Sequence, residues 1–552
     1  DNFGGYRFLG RLYTIKSNLG RGKALPEFAA KAISAWKEIG RLDPRNAEAW
    51  AFLSAFYEAS GQEEERIDAL RFWLASAAPV EQGFYSRVMR DDAELTPEAA
   101  STKLGSALLE LGRSEEALEI LSRAISDDPG NLEAVDMLGQ ALEDVPVGSM
   151  SPVIEALRQA VYANPDNFSL NQLLADTLLR SGKAADGAKV LETAAARAAD
   201  KEGKAASTYL VALGDLYLES GNSDAAVDSY KRALKARKIG KGLVQDDDDR
   251  EFAGIVIGKE VNAEARVERY GRALEIINQS RDMFGISDLT LDRELIRLYR
   301  NKGDREAALA HVKSLRTRAP KDYNLIRTEA SILTDLGRVE EAVVLIRQLI
   351  DSKPPAETTP SVMYDDFINY VFISSLYNQA KESRKAIEAA TNAFSEADGD
   401  ERRQIAKLAL ASAQQTSGDF QSAEKNLREI LDDSPKNPIA LNNLGYLFLE
   451  TGKNFEEALE YVRGAVKIDP KNSSYLDSLG WAYFKLGKLE LAEHNLRKAL
   501  RYAPTSATIM EHLGDILKAR GKTSEADEVW SRALKYVTMD EDTLRITKKL
   551  GR

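Results

Sequence analysis

SSYLDSLGWAYFKLGKLELAEHNLRKALRYAP, residues Ser473–Pro504, decides the fold. Leu476, Leu479, Gly480 and Tyr483 fall at i, i+3, i+4 and i+7, which is one face of an α-helix. Gly487 and Lys488 break that helix. Ala492, Leu496 and Ala499 then share a face of a second helix, and Pro504, with no N–H to extend the ladder, ends the unit. Glycine inside a helix costs roughly 1 kcal/mol relative to alanine, so Gly480 implies a packing reason. Together with Ala492 it lets two helix axes approach closely, and Ala499 is expected to do the same for the next helix.

Outward from this unit the same chemistry recurs in one phase. Pro435, Pro470 and Pro504 are 35 and 34 residues apart, and Gly445, Gly480 and Gly514 keep the same intervals. Ala423, Ala458, Ala492 and Ala526 repeat at 35, 34 and 34. The order of large residue, Leu-Gly, Tyr, then Ala, large, Ala and Pro resembles the tetratricopeptide repeat. It returns at Leu104, Gly105, Leu108, Ala117, Leu121, Ala124 and Pro129, and at Leu213, Gly214, Tyr217, Ala226, Tyr230 and Ala233 without the closing proline. Weaker copies carry Tyr299, Ala308 and Pro320, then Leu333, Ala342 and Pro354, then Tyr377, Ala386 and Ala393. Near the start, Trp36 and Pro44 close one unit and Trp50, Leu53 and Tyr57 open the next. The resemblance implies an all-α, right-handed superhelical solenoid of about 13–14 helix-turn-helix repeats.

Within that array the expected organisation is an N-terminal array over 1–238, an irregular insertion or hinge over 239–285, a degenerate central array over 286–400 and a well-formed C-terminal array over 401–552. The insertion carries the acidic run Asp246 to Asp249, and Glu264 to Ser280 reads as a helix without a clear partner. Residues 80–97, Asp144 to Ser151 and the proline-rich Lys353 to Pro360 read as further interruptions.

Composition bounds the chemistry. The 552 residues exceed any single hydrophobic core, and 75 Lys and Arg against 87 Asp and Glu leave a formal charge of −12. That balance supplies no basic face for phosphate contacts, so no nucleic-acid partner is expected, and an RNA-binding helical repeat is the least favoured reading. The absence of cysteine excludes disulfides, thiol catalysis and cysteine-ligated metals. No run of about 18 apolar residues is present to span a bilayer. The chain begins at Asp1 and reads as mature or trimmed, so membrane contact is expected only through a lipid anchor lost with an upstream segment.

The chemical motifs are weak. Gly521-Lys522-Thr523 has the end of a phosphate loop, but Ile516 stands where that loop needs glycine. Asp246 to Asp249 lacks the glycine and distant glutamate of a calcium loop. His311, His494 and His512 show no metal spacing, and no serine sits in a GxSxG elbow. We therefore expect no catalytic residues, no metal and no cofactor.

The tetratricopeptide resemblance implies a concave groove lined by the first helix of each repeat. In the C-terminal units this selects Asn442, Asn443, Tyr446 and Leu449, then Asp477, Ser478, Trp481, Phe484 and Lys485, then Glu511, His512, Asp515 and Lys518. The expected partner-binding set is Asn442, Asn443, Tyr446, Asp477, Ser478, Trp481, Phe484, His512 and Asp515. Tyr446 and Trp481 hold equivalent places one repeat apart, which would stack two aromatics along the groove. The Lys, Asn and Arg clamp of chaperone-tail binders is not reproduced: its places hold Asn442 and Tyr446, Ser478, and Thr508 with His512.

Residues 438–534, with Leu441-Asn442-Asn443-Leu444-Gly445-Tyr446, Tyr475 to Trp481 and His512 to Asp515, resemble large bacterial tetratricopeptide proteins, many of them outer-membrane lipoproteins facing the periplasm. One subgroup scaffolds a cell-envelope protease and its substrates. The resemblance implies a non-catalytic interaction scaffold of the bacterial envelope, periplasmic or outer-membrane-associated, whose partners are other proteins such as an envelope protease or an assembly complex. The alternatives are a structural subunit of a larger envelope or secretion complex, and a cytoplasmic location.

Overall fold

Asn472 starts the decisive unit. Its side-chain oxygen accepts from the backbone N–H groups of Ser474 (3.1 Å) and Tyr475 (3.4 Å), filling donors that a helix start leaves orphaned. Gly487 then adopts φ +76°, which a side chain would strain, and the Lys488 N–H returns to the Tyr483 carbonyl at 2.9 Å. The second helix lies on the first because Gly480 has no side chain: a Cβ there would stand 2.8 Å from Leu496 Cγ and 3.1 Å from the Ala492 carbonyl oxygen. Leu476, Leu479, Tyr483, Ala492, Leu496 and Ala499 are all buried.

The computed structural model describes residues 2–19, 25–76, 83–89, 95–142, 145, 150–198, 203–285, 287–352 and 362–551. Among these the regular elements are helices, and no strand occurs. The chain divides into two units, Asp1–Lys238 and Ile239–Arg552.

Unit 1 joins α1 (Phe3–Ser17) to α2 (Pro26–Leu42) and α3 (Ala47–Ser60) to α4 (Glu63–Leu74). The short α5 (Gly83–Met89) follows, then α6 (Pro97–Glu110) with α7 (Ser114–Asp127) and α8 (Leu132–Leu142) with α9 (Met150–Ala163). The last hairpins of this unit are α10 (Phe168–Arg180) with α11 (Ala184–Arg197) and α12 (Lys204–Glu219) with α13 (Ser223–Ala236). One hydrophobic core runs from Leu19 through Trp36, Phe52, Trp73, Leu104 and Leu121 to Leu178, so neighbouring hairpins share it.

Unit 2 opens with α14 (Asp247–Arg266) and α15 (Tyr270–Gln279), then α16 (Thr290–Lys302) with α17 (Arg305–Arg318) and α18 (Tyr323–Asp335) with α19 (Val339–Asp351). It continues with α20 (Asp366–Gln379) and α21 (Ser383–Ser395), α22 (Asp400–Ser417) and α23 (Phe420–Asp433), and α24 (Pro438–Thr451) and α25 (Phe455–Ile468). The final hairpins are α26 (Ser473–Lys485) with α27 (Leu489–Tyr502) and α28 (Ala507–Ala519) with α29 (Thr523–Ala533), before a single α30 (Asp540–Lys549). Fourteen hairpins, six in unit 1 and eight in unit 2, match the expected solenoid.

Three sequence readings change. The helix expected without a partner over Glu264 to Ser280 is broken at Glu268, and its two parts belong to α14 and α15, which pack on each other and bury Val256, Ile257, Ala273 and Ile277. The break was hidden because Glu268 holds φ +59° in a turn where most hairpins place glycine. Asp246 to Asp249 is not a free acidic loop: the Asp246 side chain accepts from the Asp249 N–H (2.9 Å), and Asp247, Asp248 and Asp249 form the first turn of α14, where negative charge suits the helix dipole. The long connection over 80–97 contains α5, anchored by buried Tyr85. Residues 353–361, and 144–149 apart from Val145, lie outside the described residues.

The tight hairpins make a testable contrast between two glycines. A Cβ on Gly514 would approach Cε2 of the buried Trp530 indole to 2.7 Å, whereas one on Gly271, in the first turn of α15, would meet nothing within 4 Å. Gly514→Ala is therefore expected to destabilise by about 1–3 kcal/mol, and Gly271→Ala to be neutral or to stabilise by up to about 1 kcal/mol. Denaturant melts of the two variants check this, and a harmless Gly514→Ala would remove the close-approach account.

Candidate partner-binding groove

Successive first helices carry equivalent residues at the repeat spacing. Three places before the helix glycine stand Asn442, Asp477 and Glu511, and one place after it stand Tyr446, Trp481 and Asp515. In α30, Arg545 and Lys549 continue both rows 34 residues beyond Glu511 and Asp515. Neighbouring helices are joined through these rows.

Between α26 and α28, Asp477 Oδ1 lies 2.8 Å from His512 Nδ1. The His512 ring lies parallel to the Trp481 indole, with centroids 4.3 Å apart and planes at 19°. Phe484 packs 4.9 Å from the same indole, and the Lys485 ammonium sits 5.0 Å from its centroid. Burial alone would discharge His512, but Asp477, with Asp515 and Glu511 behind it, outweighs burial and lifts the imidazole pKa above its ordinary value. The protonated form of such a ring is the one best attracted to an aromatic face.

Between α28 and α30 the pairing is ionic. Arg545 forks onto Glu511, with Nε and Nη2 each 2.7 Å from a carboxylate oxygen. Lys549 lies 2.7 Å from Glu511 Oε1 and from both oxygens of Asp515. Burial would raise the Glu511 pKa, yet Arg545 and Lys549 hold it down to about 2. Burial lifts Asp515 above its ordinary range against the pull of Lys549.

The expected site residues thus differ in their surroundings. Asp477, Trp481, Phe484 and His512 come together in one cluster. Asp515 belongs to the ionic set with α30. Asn442 and Asn443 contact each other, Nδ2 to Oδ1 at 3.3 Å, and the buried Asn442 Oδ1 has no hydrogen-bond partner among the described residues. Ser478 is buried and donates to the Ser474 carbonyl at 3.0 Å, so its hydroxyl is used inside its own helix. Burial, with Glu450 and Asp477 nearby, pushes the Tyr446 phenol well above its usual range.

The ring parallel to the Trp481 indole is His512 of the following hairpin, and no ring contact of Tyr446 with Trp481 is seen among the described residues. Arg545 and Lys549 were missed in the sequence, although their 34-residue offset from Glu511 and Asp515 was a usable signal. Among the described residues, no group of three or more His, Asp or Glu side chains could hold a metal ion, and no helix is long and apolar enough to cross a membrane.

Family models described as tetratricopeptide repeat match residues 89–144, 167–239, 408–473 and 473–506, and these stretches fall on helix hairpins of both units. This chain carries tetratricopeptide repeats in both units. It is similar to the mouse interferon-induced protein with tetratricopeptide repeats 3, at 28% identity over 174 residues; the match spans 31% of this chain and 40% of that protein's length. Among solved structures, a thermophilic TPR protein of Thermus thermophilus aligns with TM-score 0.30 and 20% identity, covering 34% of this chain and 100% of its own. A tetratricopeptide repeat protein of Parabacteroides merdae aligns at 0.33 and 18%, covering 47% and 97%. Yeast Tom70 aligns at 0.37 and 15%, covering 82% and 95%. Tetratricopeptide arrays are protein–protein interaction scaffolds, typically without catalytic activity, and this chain shares that architecture.

Two measurements follow from the charges on the tetratricopeptide groove. Glu511 is depressed from 4.5 to about 2, so its stabilising contribution is complete above pH 4.5 and is lost as pH falls toward 2. Arg545→Ala should cost about 1–3 kcal/mol at neutral pH and flatten the acid limb of a stability–pH curve measured by urea unfolding; an unchanged limb refutes the assignment. His512 is raised, so its contribution is complete below pH 6.5 and fades as pH rises through its folded value. An NMR titration should place His512 above the ordinary histidine value, and Asp477→Asn should move it down; no movement would disconnect the pair.

Proposed function

We propose that this tetratricopeptide repeat protein is a non-catalytic scaffold of a bacterial cell envelope, and that it holds a partner protein on the first-helix face of α24, α26 and α28. The observation that carries the proposal is Trp481. It is a large aromatic left half-buried at the surface, packed on Phe484 and His512 and bordered by Lys485 and Asp477. An aromatic anchor within a polar rim is the arrangement from which protein-binding hot spots are made. Tyr446, one hairpin earlier, extends that surface toward the unpaired Asn442 acceptor.

Support for the envelope comes from the resemblance of residues 438–534 to large bacterial tetratricopeptide proteins, many of them lipid-anchored in the outer membrane. On this reading the protein faces the periplasm, and its partners are envelope proteins such as a protease or an assembly complex.

The test is capture from native envelope extracts with the parent chain and with Tyr446→Ala/Trp481→Ala, quantified by mass spectrometry. Partners held in the groove should fall by about tenfold or more in the double variant. Equal recovery from both chains removes the groove site. Fractionation of the native protein into the cytosol removes the envelope assignment while leaving the groove intact.

A further inference from the structure

In unit 2 the turn inside each hairpin places one residue in the left-handed region. Six of the eight turns use glycine there: Gly303, Gly337, Gly418, Gly452, Gly487 and Gly521. The other two use Glu268, at φ +59°, and Lys381, at φ +57°. A non-glycine residue in this region carries backbone strain, and a charged one has no local benefit to offset it. Both exceptions have the same use: each binds the stretch that runs from the end of α29 into the first turn of α30.

That segment follows the last hairpin yet lies against the first ones. Lys535 forms an ion pair with Glu268 in the α14–α15 turn. Tyr536 donates its hydroxyl to the Asn301 carbonyl at the end of α16 (2.8 Å), and the Tyr270 hydroxyl reaches the same oxygen at 3.4 Å. Arg305, which starts α17, donates to the carbonyls of Tyr536 (2.9 Å) and Val537 (3.3 Å). Lys381, in the α20–α21 turn, pairs with Glu541 and lies 3.0 Å from Asp542.

At the α16–α17 turn the residue remains glycine, at φ +80°. A Cβ on Gly303 would stand 3.5 Å from the Lys535 carbonyl oxygen, an ordinary contact distance, so this turn lies directly against the backbone of the crossing segment. The turns on either side of the crossing supply charge. Burial, reinforced by Tyr536 and Glu268, pushes the Tyr270 phenol up to about 12, which keeps it a neutral donor at the crossing.

We propose that residues 535–542 are a clasp that fastens the end of unit 2 to its first, second and fourth hairpins and holds these eight hairpins in a closed turn. Glu268 and Lys381 are its catches, and they are retained in strained positions for that purpose. Tyr536 and Val537 pack on the core of the last hairpins, while the contacts described above to the early hairpins are polar and lie at the turn edge, so these can release without disturbing a core between consecutive hairpins. Release frees the link to α30, whose Arg545 and Lys549 hold Glu511 and Asp515 in the groove. That last consequence rests on the groove reading above, whereas the clasp itself does not.

The chain contains no cysteine, so spin labels can be placed without background at Lys302→Cys and Thr538→Cys of the full-length protein. Pulsed electron resonance should give a short, narrow distance distribution between them. Adding Glu268→Gly and Lys381→Gly restores the usual turn residue, so helix content and melting temperature should hold or rise. The same pair of changes should reduce the narrow population several-fold. A broad distribution in the parent chain, or a narrow one that survives the double glycine variant, overturns the clasp. Neither result bears on partner capture, so the two proposals fail independently.

Discussion

No hairpin of this protein can bury its own apolar side, and everything else follows from how closely each must therefore approach its neighbour. The approach is set by missing atoms. At Gly105, Gly214, Gly445, Gly480 and Gly514 an added Cβ would collide with a residue of the partner helix: Leu121, Tyr230, Val462, Leu496 and Trp530 in turn. These large side chains fill the space the glycines vacate, and all are buried. A helix glycine costs roughly 1 kcal/mol, which is less than the about 1.5–3 kcal/mol gained by burying one large apolar side chain against it. The same trade repeated within each unit yields cores shared by neighbouring hairpins, which are therefore mutually dependent.

The first helices of the C-terminal hairpins bury more residues than their partners, yet one face of each is spent on other chemistry. That face is where the polar rows run. Asp477 meets His512, Glu511 meets Arg545 and Asp515 meets Lys549, each one hairpin on. Such pairs add little net stability when exposed, but partly buried and forked they fix the lateral register of adjacent helices. A surface built this way is rigid enough to present Trp481 in one orientation, which reduces the ordering a partner would otherwise have to impose.

The helical repeat was legible because its determinants are local: glycine, alanine and proline at fixed offsets report packing through the absence of atoms or of an N–H. The site was legible only in outline. Equivalent positions in the repeat bring Asp477, Trp481, Phe484 and His512 within reach of one another, since side chains one repeat apart sit on adjacent helices. Which ring lies parallel to the indole depends on rotamers that spacing does not encode. Ser478 looked available but turns back onto its own helix, a choice open to any serine in a helix. The α14–α15 hairpin was obscured for the opposite reason: its turn residue breaks the glycine rule, so the strongest punctuation signal was missing where a charged side chain had replaced it.

That exception separates two kinds of interface in one unit. Between consecutive hairpins the contacts are Leu, Ala and aromatic side chains at or near full burial, and opening one exposes a core. Where residues 535–542 cross the early turns, the contacts are a tyrosine hydroxyl, arginine to backbone carbonyls, and ion pairs at the surface. Water can replace each of those at small net cost, whereas it cannot replace packed hydrocarbon. The free energies of opening must therefore be ordered, with the crossing below every hairpin junction. A unit whose end meets its start through polar contacts can change between closed and open while each hairpin keeps its neighbours, and among the hairpin turns of unit 2 a charged residue replaces the left-handed glycine only where such a contact is made.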